Sequence, residues 1–394
     1  MAERGRVAFV PPRFGRDLVG GSELLSREAA LGLAGRGWDV EILTTCAVDH
    51  FTWANELPAG RTVEDGLTVR RFPTIHTPSR AAHRAELVIQ GGGVPSLDEQ
   101  VSWLSYRFQV PELFHHILSH EHEYDALIYS PYLFWTTAVC APVTAARSIV
   151  IPCLHDEHYA RLDLFRPVLA DPAAVWFLSE PEHQLAHRLG PVAPCHQVTG
   201  AGIDAPVSYD AEGFRARHGL RRPFILYSGR REGGKGWDWL MHAFKYTLER
   251  GDLGLDLATT GVGPVLPPPE MADRVIDLGF LEHAERDNAM AAATAYVQPS
   301  KMESFSRTIM EAWLAGTPVV ANAASDVVAW HCERSGGGIT YSDEAGFAAA
   351  ISALAASPQR AGELSARGRA YVLEHYTWDS VLNRMEDDLR RLRP

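Results

Sequence analysis

The chain is short of the groups that several kinds of chemistry would need. Its five cysteines, Cys46, Cys140, Cys153, Cys195 and Cys332, are odd in number, widely spaced and without a C-x-x-C pair. That excludes a disulfide scaffold and a cysteine-held metal, and favours reduced thiols in the cytoplasm. Only three lysines occur, Lys235, Lys245 and Lys301, and the net charge is −12, so there is no broad cationic face for nucleic acid and at most a peripheral contact with membrane. No Asp-x-Asp occurs anywhere, and a divalent metal bridging a diphosphate is therefore not indicated. The first residues, Met-Ala-Glu-Arg-Gly-Arg, lack the apolar core of a signal peptide. One uncharged run, residues 126–146, is about long enough to span a bilayer. It carries Pro131 and Pro142 and opens as Ala-Leu-Ile-Tyr, so we expect a strand, a turn and a buried helix. Fixed-period repeats and low-complexity runs are also missing.

What remains is an alternation of short apolar runs and helical patterns. At 394 residues, 46% apolar and 22% charged, the chain has the composition of a globular protein and is long for one core, so two domains are expected. Residues 6–10 read as a strand, followed by a loop with Pro11, Pro12, Gly15, Gly20 and Gly21, a helix over 22–36 and a strand over 40–45. This βαβ unit implies a parallel, doubly wound sheet. A dehydrogenase would open in the same way, but these glycines miss the G-x-G-x-x-G spacing and the second strand ends in Thr44-Thr45 instead of an acidic residue. Residues 51–122 are less regular and hold several aromatics, among them Trp53, Trp103, Tyr106, Phe108 and Phe114. A strand over 148–154 ends in His155-Asp156-Glu157-His158. Polar residues there face the crevice where such sheets bind ligands. A metal is discounted, because both imidazoles would have to converge from one segment and no C-x-x-C or H-x-x-x-H supports them.

The alternation restarts at 224–228, followed by Gly229-Arg-Arg-Glu-Gly-Gly-Lys-Gly236 and a helix over 237–250. Glycines let a backbone close on anionic oxygens, and Arg230 and Lys235 can neutralise them. Lys235 is followed by Gly236, so this is not the P-loop spacing. Further on, Tyr296-Val-Gln-Pro-Ser-Lys-Met-Glu-Ser-Phe-Ser-Arg-Thr-Ile-Met-Glu-Ala-Trp-Leu-Ala-Gly-Thr-Pro-Val-Val-Ala321 orders a strand, a loop, a helix over 307–315 and a strand. Ser304 and Ser306 stand where an N-cap is wanted, which would aim free N–H groups and a helix dipole at one spot. Glu303 lies in that loop, and Glu311 lies among Ile309, Met310, Ala312, Trp313 and Leu314. A carboxylate in so apolar a helix needs donors, which a ribose diol would supply. Pairing of Glu311 with Arg307 at i, i+4, with Glu303 solvated, is the alternative.

Residues 296–321 resemble the two-glutamate signature of retaining glycosyltransferases with the GT-B fold, of the large fourth sequence family of glycosyltransferases (glycosyl transferases group 1). Glu303-Ser304-Phe305-Ser306 departs from that family's usual Glu-Gly-Phe-Gly. Gly229-Arg230 and Glu232-x-x-Lys235-Gly236 are similar to its second element. The resemblance implies two Rossmann-like domains facing across a cleft, an acceptor-binding domain over 1–204, a nucleotide-sugar domain over 205–375 and a closing helix over 376–394 that returns to the first domain. It implies a donor that is a nucleotide-diphosphate sugar, UDP- or GDP-linked, with no further cofactor and no metal. The acceptor would be a glycan, a lipid-linked or a small molecule. It assigns Arg230 and Lys235 to the diphosphate, Glu303 to sugar hydroxyls, Glu311 to the ribose, Ser304, Phe305 and Ser306 to the donor loop, Gly20 and Gly21 to the neighbourhood of phosphates and acceptor, and His155 to the transferred sugar. An epimerase, a sugar phosphorylase or a non-catalytic binding partner of another transferase are the alternatives.

Overall fold

The computed structural model describes residues 4–392 except 17, 19, 78 and 252. Residues 1–3, which enter the leaderless reading, and Arg393, to which the closing helix is expected to run, lie outside the described residues. The chain forms two compact units, Met1–Gly202 with Trp378–Pro394, and Ile203–Thr377.

The first unit is built on β1 (Arg4–Val10), β2 (Trp38–Thr45), β3 (Gly60–Glu64), β4 (Leu67–Phe72), β5 (Ala126–Tyr129), β6 (Ser148–Val150), β7 (Ala174–Phe177) and β8 (His196–Val198), in the order β3-β4-β2-β1-β5-β6-β7-β8. The central strands carry near-continuous apolar runs because helices cover both faces, as a parallel sheet requires. Val7, Ala8, Phe9 and Val10 of β1 are fully buried. All neighbours run parallel except β3 and β4. That antiparallel edge lies in the stretch where the sequence pattern is irregular. It is made by Asp65 and Gly66, both at positive φ (50° and 84°), the pair a two-residue hairpin turn calls for. Trp53, Trp103 and Phe108, among the aromatics of that stretch, are buried in the core. The uncharged run folds as β5, a turn and the helix Trp135–Val143, and no helix among the described residues is long and apolar enough to cross a membrane.

The second unit holds β9 (Phe224–Ser228), β10 (Asp256–Thr260), β11 (Val275–Asp277), β12 (Ala295–Gln298), β13 (Val319–Asn322) and β14 (Gly338–Tyr341), all parallel, in the order β11-β10-β9-β12-β13-β14. Both units are thus doubly wound, Rossmann-like sheets. In the second, the winding reverses at β9: β10 lies on one side of it and β12 on the other. The loops that leave β9 and β12 therefore part around a crevice at the carboxyl ends of the strands, the position where open α/β sheets bind ligands.

The chain leaves the first unit after Gly202 and re-enters at Trp378. A Cβ on Gly202 would come within 2.1 Å of the Trp378 ring, so only glycine lets that indole lie flat. The helix Trp378–Leu392 buries Val381, Leu382, Met385 and Leu389. It also buries Glu386 and Asp388, at a cost unless both are paired. Trp38 Nε1 donates to Glu386 Oε1 at 2.9 Å, Arg36 Nη1 to its Oε2 at 3.1 Å, and Trp176 Nε1 to Asp388 Oδ2 at 2.9 Å. Replacing Glu386 by Ala removes the acceptor of the buried Trp38 indole N–H and one of the partners of Arg36, which also holds Asn383 and Asp379. Glu386→Ala should destabilise the first unit by about 2–4 kcal/mol, read as an earlier urea transition followed by tryptophan fluorescence, and a change under about 0.5 kcal/mol would remove the helix's claim to anchor the fold.

Candidate donor-binding site

In the second unit the loop after β9 runs against the loop after β12. Gly236 stands at φ 76° and caps the helix Trp237–Glu249. A Cβ there would lie 2.5 Å from the carbonyl oxygen of Pro299, so glycine is needed for conformation and for approach. Asn322 Nδ2 donates to the same carbonyl at 3.1 Å. Across this contact Lys235 Nζ donates to Glu303 Oε1 at 2.9 Å. Tyr227 Oη donates to the Arg230 carbonyl at 2.6 Å and Tyr296 Oη to that of Ser228 at 3.1 Å. Burial raises both phenols, which keeps them protonated donors.

The two arginines of this loop differ. Arg231 is buried, donating to Thr259 Oγ1 (3.1 Å), the carbonyls of Gly261 (3.0 Å) and Gly263 (2.7 Å) and Asp277 Oδ1 (2.6 Å). It is consumed in holding the loops together. Arg230 is half exposed, with Glu232 Oε1 at 3.2 Å, and can turn to a ligand. An open groove of about 430 Å³ lined by Arg231, Trp237, Met241 and Lys245 lies nearby, but none of the sequence-predicted residues lines it.

Glu311 has a cation from a neighbouring helix beside it. Its Oε2 is 2.9 Å from Arg286 Nη2 of the helix His283–Ala292, off the line of a hydrogen bond, and that buried oxygen accepts none. The neighbouring Asp287 carboxyl is raised to about 6, by burial first and by the charge of Glu311 second. A carboxylate with a spare buried acceptor is what a diol-binding group needs before its ligand arrives.

Two expectations for the β12 loop fail in detail. Ser306 occupies the N-cap position of the helix Arg307–Leu314 but sits at φ 65° and makes no side-chain cap. Its Oγ instead accepts from Gln298 Nε2 at 2.9 Å. The resembled family's glycine at this position fits the left-handed backbone, which serine adopts under strain. Phe305 is buried against His331 and Tyr376, centroids at 5.3 and 5.0 Å, so its ring is an anchor and only its backbone can face a donor. Ser304 is partly exposed.

Gly20, Gly21 and His155 belong to the first unit. Gly20 is extended, and a Cβ would lie 2.2 Å from Glu23 Oε2. Its bareness lets Glu23 fold back to meet Arg13 Nε at 3.0 Å in a buried pair. Gly21 opens the helix Gly21–Gly35 and is exposed, with free space at its Cβ. His155 follows β6, which stops at Val150, earlier than the pattern implies. Its Nδ1 is 4.0 Å from Glu157 Oε1. The backbone ahead of it is held by Glu182, whose carboxylate accepts from the N–H groups of Leu154 and Leu178, and which burial pushes up to about 8. Arg13, Glu23, Glu182, Arg231 and Arg286 escape the sequence reading. A charge next to glycine, or three residues into a helix after a strand, is the one signal that marks Glu23 and Glu182.

Two predictions follow from these positions. Ser306→Ala keeps the left-handed strain and loses the Gln298 bond, whereas Ser306→Gly loses the bond but relieves the strain. The glycine variant should be the more stable of the two by about 1 kcal/mol in chemical denaturation, and equal stabilities would refute the strain. For Asp287, the raised folded value means that the folded chain holds the proton between about pH 4 and pH 6 while the unfolded chain has lost it. Stability should fall as pH rises through that window. Asp287→Asn should therefore gain about 1–2 kcal/mol at pH 7, less than the full linkage value because solvent reaches the group, and nothing at pH 4; an equal gain at both pH values would contradict it.

Comparison with known proteins adds to this geometry. The sequence model of the family "Glycosyl transferases group 1" matches residues 222–357. 2-Deoxystreptamine glucosyltransferase of Streptomyces kanamyceticus is 29% identical over 47% of this chain and 56% of its own, and the chain spans about half the length of the first curated relatives it matches. Among solved structures, sucrose-phosphate synthase from Thermosynechococcus elongatus superposes with a TM-score of 0.74 at 19% identity, covering 99% of both chains. Anabaena HepE in complex with UDP-glucose gives 0.71 at 16% identity, covering 98% of this chain and 99% of its own. The two-unit fold is therefore that of GT-B proteins, and residues 222–357 of its second unit are similar to the glycosyl transferases group 1 family.

Proposed function

We propose that the chain is a metal-independent, retaining glycosyltransferase that moves a sugar from a nucleotide-diphosphate sugar to an acceptor hydroxyl in the cytoplasm, in the making of a glycan, a glycolipid or a glycosylated natural product. The observation that carries this reading is the convergence of Arg230, Lys235 and Glu303 where the second sheet reverses its winding, with Lys235 Nζ 2.9 Å from Glu303. Arg230 and Lys235 meet the charge that grows on the departing diphosphate, helped by the uncapped start of the helix Arg307–Leu314. Glu303 holds sugar hydroxyls and Glu311 the ribose. His155 touches the sugar near the reacting carbon. The bond from the anomeric carbon to the diphosphate oxygen breaks, a bond to the acceptor oxygen forms on the same face, and the acceptor's proton passes to the leaving phosphate.

The HepE complex with UDP-glucose favours a UDP-sugar over a GDP-sugar as donor. The curated relative that glucosylates 2-deoxystreptamine favours a small, polyhydroxylated acceptor over a lipid-linked one. Calorimetry with UDP, GDP, dTDP and ADP, in EDTA, should find one preferred nucleotide, bound at least about tenfold more weakly by Lys235→Ala and by Glu311→Ala. Glu303→Gln should keep that binding and lower transfer by about 10²–10³-fold. Binding indifferent to both alanine changes would sink the site assignment, and tight binding without donor turnover would favour a non-catalytic partner.

A further inference from the structure

Three imidazoles away from the candidate donor site face one another at the outer edge of the first unit's sheet. The helix Glu180–Leu189 follows β7 and carries His183 and His187 one turn apart on one face. His196 opens β8, the edge strand beside β7. One ring nitrogen from each of the three lies within 4.8 Å of the other two, and Nε2 of His183 is 3.0 Å from Nε2 of His187. Two nitrogens on one tetrahedral zinc, each at about 2.05 Å, stand about 3.3 Å apart, close to the spacing already present.

The outward nitrogens are engaged as metal-binding histidines require. His196 Nδ1 donates to the Ala193 carbonyl at 2.8 Å, and His183 Nδ1 is 3.4 Å from Glu180 Oε1. Both bonds place the proton on Nδ1 and leave the Nε2 lone pair for a ligand. Phe177 packs beside His183 and His196, with centroids at 5.1 and 6.4 Å, and steadies both rings. His187 is exposed and needs only a small rotation to complete the set.

We propose that His183, His187 and His196 bind a divalent transition-metal ion, zinc above all, with solvent in the fourth position. Three nitrogen donors without a carboxylate among them select against magnesium and calcium. The ion would staple the helix Glu180–Leu189 to β8, whose outer edge no strand pairs. This inference is independent of the transferase reading, since none of the three residues has a part in it. Sequence reading looked for a metal at His155 and His158 and passed over the H-x-x-x-H of His183 and His187.

The test uses the full chain without a histidine tag, stripped with EDTA, dialysed and titrated with zinc chloride at pH 7.5, where imidazole is neutral. One equivalent should bind with a Kd of about 1 μM or tighter and raise Tm by about 5 °C at saturation. Cobalt(II) should give the visible absorption of a four-coordinate site. His187→Gln, at an exposed position, should keep the metal-free Tm and lose the stoichiometric binding, the shift and the cobalt spectrum; His196→Gln should lose the same three. Absence of one-equivalent binding, an equal Tm rise with magnesium, or binding that survives both substitutions would overturn the site and leave a hydrogen-bonded histidine cluster.

Discussion

The second unit's chemistry depends on a contact between two backbones. The Pro299 carbonyl can reach the loop after β9 only because Gly236 has no side chain and takes a left-handed turn. Every other feature of the crevice sits on that approach. It brings Lys235 within reach of Glu303, fixes where the helix Trp237–Glu249 begins, and leaves the β12 loop a single path from Gln298 to Ser306. The sheet supplies the place, since β10 and β12 depart from β9 in opposite directions, but a parallel sheet alone gives loops that merely part. The glycine turns the parting into a site with fixed walls.

Both candidate phosphate-binding cations already have partners. Lys235 holds Glu303 at 2.9 Å and Arg230 stands 3.2 Å from Glu232. A diphosphate therefore exchanges carboxylate for phosphate around these two groups instead of adding to bare charges. The exchange costs little desolvation, because both side chains are partly in water, and it frees Glu303 when the cation turns to the phosphate. One event thus loads the cation and releases the acceptor oxygens that a sugar's hydroxyls need. Glu311 differs. Its Oε2 is buried and accepts no hydrogen bond despite the nearby Arg286, and its charge adds to the burial that raises Asp287. Here the ligand would add bonds without displacing any.

What the sequence disclosed follows period and punctuation. Strands such as β1, β9 and β12 are continuous apolar runs between glycines and prolines, so two doubly wound sheets could be read directly. The antiparallel edge, β3 with β4, was hidden because β3 is exposed and both strands carry charged residues, and only Asp65-Gly66 betrays the turn. Within the site, residue types were legible and partners were not. That Arg231 would be spent on Thr259, Gly261, Gly263 and Asp277 while Arg230 stayed available depends on which way two adjacent side chains point. Likewise the approach of Arg286 to Glu311 comes from another helix, which no local spacing could disclose. Ser306 misled because a serine ahead of a helix normally caps it, whereas a left-handed backbone turns its hydroxyl toward Gln298.

Two helices of the first unit close their starts with a buried glutamate. The helices Gly21–Gly35 and Glu180–Leu189 each carry a glutamate as their third residue, Glu23 and Glu182, and both are buried. Each folds back under the loop ahead of its helix, Glu23 onto Arg13 and Glu182 onto the N–H groups of Leu154 and Leu178. The helix Arg307–Leu314 has no acidic residue in its first turn and no side-chain cap. Of the three it is the one whose dipole is left for a phosphate, and it begins beside Glu303 and, through it, Lys235. The helix Trp135–Val143 of the first unit lacks an acidic first turn and a side-chain cap as well, so an open start does not by itself mark a donor site; what sets Arg307–Leu314 apart is that place beside Glu303 and Lys235.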